Sequence, residues 1–311
     1  MKPIYVDLES SVFSPDLAAA LGRRGMPVIS QKEAEPGDAV WTVGVADGNP
    51  EGVSVQRTPS PRIVLHRLAL EPDPEVMADA ISKEIARQAK VADVPNITLI
   101  LDQRGQGPRQ GRFAIPDDLK DLEGFALVFR PDQGERRPEE TLTTEKWPQV
   151  LRGLRCMLGY IGGPGWAPNT RRVHLHGDAD PSWFWEIGTR MDYSSGFILV
   201  ADGIEVFGNP RMRPVPTPLD VSDPGPISEE MVCELKTSSV PSVDFVYGCQ
   251  HTLSLLVSRG NTELLHLYTS VPGPILALVA HQCKYSIPRK GVRVYDTPLP
   301  SGGVSVLLTQ K

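Results

Sequence analysis

Aromatic residues fill only 6% of the 311 positions, and cysteine occurs four times, at Cys156, Cys233, Cys249 and Cys283, with no C-x-x-C pair. Single thiols this far apart supply neither a zinc site nor a disulfide framework, so they read as reduced core residues. Long apolar runs are missing as well. None approaches the ~18–20 residues that span a bilayer, and the opening MKPIYVDLES carries acids at Asp7 and Glu9 where a signal core would be apolar. These absences lead us to expect a cytoplasmic protein without a membrane segment. An excess of positive charge is also lacking: 32 Lys+Arg stand against 38 Asp+Glu, a formal net charge of −6. That balance argues against a coat for long DNA or RNA, which needs many phosphate contacts. It leaves room for a small basic pocket around a compact anion.

What is present is an ordinary soluble composition, 40% apolar and 23% charged, with 30 prolines and 28 glycines that imply many loops. The length allows two or three domains of ~100–150 residues. The most informative feature is a near-repeat in the second half, residues 171–200 and 262–295. Each copy opens on a short apolar strand with His-Leu (His174-Leu175, His266-Leu267). A small loop follows (Gly177-Asp178-Ala179-Asp180; Thr269-Ser270-Val271-Pro272), then a helical run and a second strand at 197–200 or 292–295. Each copy is preceded by an amphipathic helix that ends in glycine, Gly162 or Gly260. Duplication of an α/β unit with a loop at a strand's carboxyl end implies two similar half-sites facing one ligand.

In chain order, residues 1–90 read as a small α/β unit. Strands are expected at 4–8, 26–29, 39–45 and 62–65. A first helix opens on Ser14-Pro15 and stops at Gly25, and a second runs over 75–90 with Val76, Ala80, Ile81 and Ile85 on one face. This β-α-β-β-β-α order faintly resembles a TIR or response-regulator-like domain. NAD-cleaving TIR enzymes place a glutamate on a helix after the third strand. Here residues 47–52, Asp-Gly-Asn-Pro-Glu-Gly, are loop chemistry, so Glu51 is not read as a catalyst. Asp7 and Glu9 could hold a metal or could simply end an edge strand.

After a connection at 89–96, a nearly all-apolar strand at 97–102 reads as a buried parallel strand and runs into Gln103-Arg104-Gly105. Another strand follows at 125–129, then a helix over 145–161 with Val150, Leu151, Leu154, Leu158 and Ile161 in one stripe. Residues 205–226 form a Pro-rich connection. The second half repeats the order: strand 231–235, a loop with Thr237 and Ser238, helix 243–258, the second repeat copy, and a last strand at 304–308.

The segments LLHLYTSVPGPILALVAHQC…VRVYD and VHLHGDADPSWFWEIG…GFILV carry a more specific resemblance. Residues 97–308 resemble the SAVED domain, two fused CARF-like Rossmann halves found in bacterial anti-phage signalling (CBASS and type III CRISPR systems). The halves would be 97–204 and 227–308. The expected fold class is therefore α/β, two tandem CARF/Rossmann-like halves preceded by a small α/β domain at 1–90. The chain departs from the family pattern at Trp183-Phe184-Trp185, where a small residue is expected, and at Val279-Ala280-His281, where Leu-Gly is commoner. The resemblance implies a ligand-binding sensor, and the residues themselves offer no convincing catalytic constellation, so no catalytic residue, cofactor or metal is expected. It would bind a cyclic oligoadenylate, cyclic tri-adenylate favoured, and then self-associate or activate a separate effector protein.

Ligands of open α/β sheets sit beyond the carboxyl ends of the strands. The expected ligand-binding residues are therefore Gln103, Arg104 and Gly105; Gly177 and Asp178; Thr237 and Ser238; and Thr269, Ser270 and Pro272. Two of these loops open a helix, so backbone N–H groups and the helix dipole can meet phosphate oxygens. Arg104 and Lys284 would add charge. Trp183 and Tyr285 would offer faces for adenine stacking, worth ~1–3 kcal/mol each. Trp183 and Trp185, two apart, cannot share a helical face, so one is expected in the core and Trp183 at the site. Asp178 and Asp180 are loop caps or ribose contacts. His174 and His176 point to one face of a strand and read as a packed, hydrogen-bonded pair. Two other readings stay open: a ligand-activated TIR-like NAD hydrolase, and a Rossmann-like structural subunit that binds no ligand.

Overall fold

The computed structural model describes residues 1–9, 13–46, 49–57, 63–65, 73–102, 113, 115–130, 147–161, 171–191, 197–207, 220–221, 230–237, 241–260, 263–284, 291–296 and 306–310. The chain is α/β with mostly parallel strand pairing. It divides into two units, Met1–Asp178 and Ala179–Lys311.

The first unit begins with β1 (Lys2–Leu8), whose Ile4, Tyr5 and Val6 are fully buried. Helix α1 (Pro15–Gly22) starts where the sequence places it: the Ser14 hydroxyl accepts from the Leu17 N–H at 3.3 Å, and Pro15 supplies the first turn. Residues 26–29, expected to be a strand, make a single parallel bridge between Val6 and Val28. Pro27 has no N–H to extend that ladder. Strand β2 (Ala39–Ala46) turns straight back into β3 (Asn49–Gln56), with Ala46 opposite Asn49. Glu51, expected in a loop, therefore lies in a strand. After β4 (Ile63–Leu65), helix α2 (Pro74–Gln88) opens on Asp73, whose carboxylate accepts from the Glu75 N–H at 2.9 Å. There follow β5 (Asn96–Asp102), the short helix α3 (Asp117–Lys120), β6 (Gly124–Phe129), α4 (Trp147–Ile161) and β7 (Arg172–Asp178).

The strand order here is β4-β3-β2-β1-β6-β5-β7, parallel from β2 to β7 and antiparallel at β3 and β4. Residues 1–90, expected to stand apart, thus share a sheet with β6, β5 and β7. Lys2 and Pro3 of β1 pair with Phe125 and Ala126 of β6. A strand apolar on both faces needs neighbours on both sides, and β1 finds one of them more than a hundred residues downstream.

The second unit holds α5 (Pro181–Arg190) and a hairpin of β8 (Ile198–Ala201) and β9 (Ile204–Phe207). Asp202 and Gly203 join these strands with φ of 48° and 77°, the left-handed pair a type I′ turn requires. The Pro-rich stretch therefore contributes a strand, and a second, β10 (Asp220–Val221), lies further along it. Then come β11 (Glu230–Thr237), α6 (Val243–Gly260), β12 (Leu264–Thr269), α7 (Gly273–Cys283), β13 (Val292–Tyr295) and β14 (Val306–Gln310). The main sheet runs β10-β14-β11-β12-β13, parallel except at β10. Helices α6 and α7 pack against each other, and Met231, Cys233, Leu235, Leu265 and Leu267 of the sheet are buried. The division between units falls inside the first repeat copy, which leaves β7 in one unit and α5 in the other. The second copy, β12-α7-β13, lies whole in the second unit.

Candidate ligand-binding site at the strand ends

In the second unit the site is built on the turn from β12 into α7. Thr269 ends the strand buried, and its hydroxyl accepts from the Val271 N–H at 3.0 Å. The Ser270 N–H reaches the Leu235 carbonyl of β11 at 3.4 Å, which ties the turn to the neighbouring strand end. Thr269 is thus a turn-former, while Ser270 and Pro272 are exposed. Pro272 caps α7 with its backbone only, and no side chain accepts from the first turn. In this first turn the Leu276 N–H donates to the Pro272 carbonyl at 2.9 Å, and Pro274 has no N–H to offer. Helix α5 differs. The Asp180 carboxylate accepts from the Ser182 N–H at 2.9 Å and from its hydroxyl at 2.7 Å, so this helix carries its own anion.

The two helices lie against each other in parallel. Phe184 covers Gly273 near one end, and Gly188 meets Ala277 and Ala280 further along. Beyond them, His281 Nδ1 stands 3.3 Å from the Gly188 carbonyl and Lys284 Nζ donates to the Met191 carbonyl at 3.1 Å. Numbering rises together on both helices, so both amino ends face the same way. Asp180 already answers the positive end of α5, so the charge left open here is that of the α7 macrodipole, roughly half a positive charge. Thr237 joins it through the parallel pairing of β11 with β12, in which Leu235 is opposite Thr269.

Two expected site residues stand elsewhere. Trp183 is 2% exposed and Trp185 5%; both belong to the core, because the polar stripe of α5 is Ser182, Glu186, Thr189 and Arg190 and the remaining arc is wide enough to bury both tryptophans. Trp183 therefore offers no open stacking face. Lys284 follows the carboxyl end of α7, roughly 16 Å along the helix from Gly273 at 1.5 Å per residue, and it caps α5 there, as a cation suits a carboxyl end. Gln103, Arg104, Gly105, Ser238 and Tyr285 lie outside the described residues.

In the first unit, Gly177 and Asp178 end β7 beside Leu101 and Asp102 of β5, and both are exposed. Neighbouring Asp102 is held by Arg130 Nε at 2.7 Å, an ion pair at the carboxyl ends of β5 and β6 with Arg130 buried. A lone charge closing each of two apolar strands was the sequence signal for that pair. His174 Nε2 lies 3.2 Å from Asn96 Oδ1, and His176 lies 3.8 Å from Asp118. Each histidine therefore has its own partner. Among the described residues, no three His, Cys, Asp or Glu side chains gather as a metal site. The four cysteines are free, and burial pushes the Cys233 thiol up to about 12.

At the carboxyl end of β1, burial raises the Asp7 pKa and the charge on Glu9 raises it further, against a hydrogen bond from the Gln31 backbone. A carboxyl raised in the folded state favours folding less once it ionises. Asp7→Asn should therefore raise the thermal midpoint at pH 7. The gain should fade as pH falls toward 3.8, the ordinary value, and be lost below it, where the acid becomes neutral in both states. Unfolding scans at pH 3 and pH 7 check this, and a variant less stable than the native chain at pH 7 would refute it.

No family model matches the chain, and no curated protein matches it. Among solved structures, the Acinetobacter baumannii Cap4 SAVED/CARF-domain containing receptor with the cyclic trinucleotide 2′3′3′-cAAA aligns at 13% identity and a TM-score of 0.41, covering 72% of this chain and 53% of that one. The Moraxella osloensis Cap4 SAVED/CARF-domain containing receptor aligns at 12% identity and a TM-score of 0.43, covering 76% and 59%. The chain spans little more than half the length of the receptors to which it is similar.

Proposed function

We propose that this chain is a sensor that binds a cyclic oligoadenylate, cyclic tri-adenylate favoured, at the shared amino end of α5 and α7. The observation that carries the reading is their parallel packing, which sets two helix amino ends side by side, with no side chain capping α7. Backbone donors and helix dipoles suit phosphate. Ser270 and Pro272, both exposed there, flank the anion, and Thr237 ends the neighbouring strand β11. The resemblance of the repeat to the SAVED pattern supplies the ring. Binding then passes to self-association or to a separate effector protein, which sedimentation with and without the ring would register.

Pro272→Asp tests the chemistry. An aspartate at this cap would give α7 the carboxylate that α5 already has in Asp180. Gain of a cap and loss of proline rigidity roughly offset, so stability should hold level or rise by up to about 1 kcal/mol. A negative charge where a phosphate should sit would cut affinity for cyclic tri-adenylate by about tenfold or more, ~1.4 kcal/mol. Calorimetry and thermal unfolding on the same variant read the two effects. Undiminished ring affinity in a folded variant would remove the anion from this helix end.

A further inference from the structure

We propose that the open edge of β13 is the surface on which two copies of this chain pair antiparallel about a two-fold axis, each Arg293 lying over the Tyr295 ring of the other copy. β13 ends the strand order β10-β14-β11-β12-β13 and is paired with β12 alone. An edge strand leaves a row of backbone N–H and C=O groups ready for another strand. The pairing needs no ring, so it goes beyond the sensor reading and stands or falls without it.

The side chains decide which strand fits. On β11 and β12, Cys233, Leu235, Leu265 and Leu267 are buried, while the alternate residues Val232, Glu234, His266 and Tyr268 are half-buried on the opposite, outer face. Arg293 pairs with His266 and Tyr295 with Tyr268, so both belong to that outer face. There the Tyr268 and Tyr295 rings stack 4.6 Å apart at 15°, with His266 alongside Tyr295 at 5.8 Å and 8°. Tyr268 thus covers one face of the Tyr295 ring and leaves the other turned toward the edge. Arg293 is exposed, and among the described residues it has no ion pair and lies over no ring. A guanidinium and an open ring face attract each other.

The order of residues then selects one register. An axis through Val294 sets Val294 opposite its own copy, Arg293 opposite Tyr295 and Val292 opposite Asp296. Outer face joins outer face, and the Arg–Tyr contact forms twice, as an isologous interface requires. An axis through Arg293 would set two like charges directly opposite each other. An axis through Tyr295 would bring Pro298, which has no N–H for a ladder, opposite Val292.

Sedimentation equilibrium of the intact chain over a concentration series, without any ligand, should show a monomer–dimer equilibrium. Arg293→Glu, a change at an exposed position, should weaken the dimer about tenfold or more, because the lost contact counts twice. Cross-linking reads the register, with Cys156 replaced by serine and the other three cysteines buried. Val294→Cys should give an intermolecular disulfide on oxidation, since directly opposed Cα atoms stand ~4.5–5.5 Å apart. Arg293→Cys should not, because its copy lies two residues out of register, beyond the ~7 Å a disulfide can bridge. A native chain monomeric at every concentration overturns the proposal. So does a dimer that Arg293→Glu leaves unchanged, or one that cross-links as readily through position 293 as through 294.

Discussion

Replacing Arg24 with leucine should lower the stability of the first unit by about 3–5 kcal/mol, the cost of removing one partner from a buried ion network. The Arg24 side chain has no exposed surface. Its Nη2 donates to Glu75 Oε2 at 2.7 Å and Asp79 Oδ1 at 2.6 Å, its Nε to Asp79 at 2.8 Å and its Nη1 to the Ala20 carbonyl at 2.7 Å. Arg23 also pairs with Glu75, and Arg152 holds the other Asp79 oxygen at 2.6 Å. Leucine would leave two carboxylates short of a partner and a carbonyl without its donor. Burial works to raise the Asp79 pKa, but hydrogen bonds from Arg152 and Arg24 outweigh it and leave the value lowered. A depressed carboxylate contributes stability above its ordinary 3.8 and loses it as pH falls through the folded value. The gap between native chain and variant should therefore be widest from pH 5 to 7 and narrow toward pH 3. Urea unfolding at both ends of that window measures it, and a loss under about 1 kcal/mol at pH 7 would mean the network is not a structural clamp.

Gly177→Ala should be the most costly single change at the sequence-named loop residues, and a second glycine isolates why. Gly177 has φ of +109°, and a Cβ there would lie 2.1 Å from the Leu101 carbonyl in the β5–β7 ladder. Gly37 has nearly the same φ, +112°, with nothing within 4 Å of an added Cβ. Gly37→Ala should thus lose only the conformational part, about 1–3 kcal/mol. Gly177→Ala should lose that and more, because two paired strands must part. Equal losses from the two variants would show that Gly177 is needed for its φ alone and that β7 does not depend on close approach to β5.

Local chemistry was legible in the sequence wherever one residue decides it. The Ser14-Pro15 helix start, the buried β5 and the strand-helix-strand of the second repeat copy all follow from caps and periodicity. Strand β3 was hidden by the Asp47-Gly48 dipeptide that precedes it, and β9 by the reading of 205–226 as a connection. Read as loop punctuation, Asp-Gly conceals the tightest hairpin signal there is. The placement of β1 beside β6 was not legible, because pairing at such separation leaves no local mark. Nor was the site's core. The run Trp183-Phe184-Trp185 was divided into an inner and an outer face, but the polar stripe of α5 is Ser182, Glu186, Thr189 and Arg190, which leaves all three aromatics on the covered arc; α7 is covered all round, with every residue of 274–283 buried. Lys284 looked like a phosphate ligand by charge alone, whereas its place past the end of α7 makes it a cap.

The account stands or falls on whether the paired amino ends of α5 and α7 hold a small cyclic polyanion. Isothermal titration calorimetry of the intact chain with cyclic di-, tri-, tetra- and hexa-adenylate, at physiological salt, asks this directly. Saturable heat from one ring, strongest for the tri-adenylate and lost in Pro272→Asp, is the expected result. A folded chain that gives no heat with any of the four would contradict it.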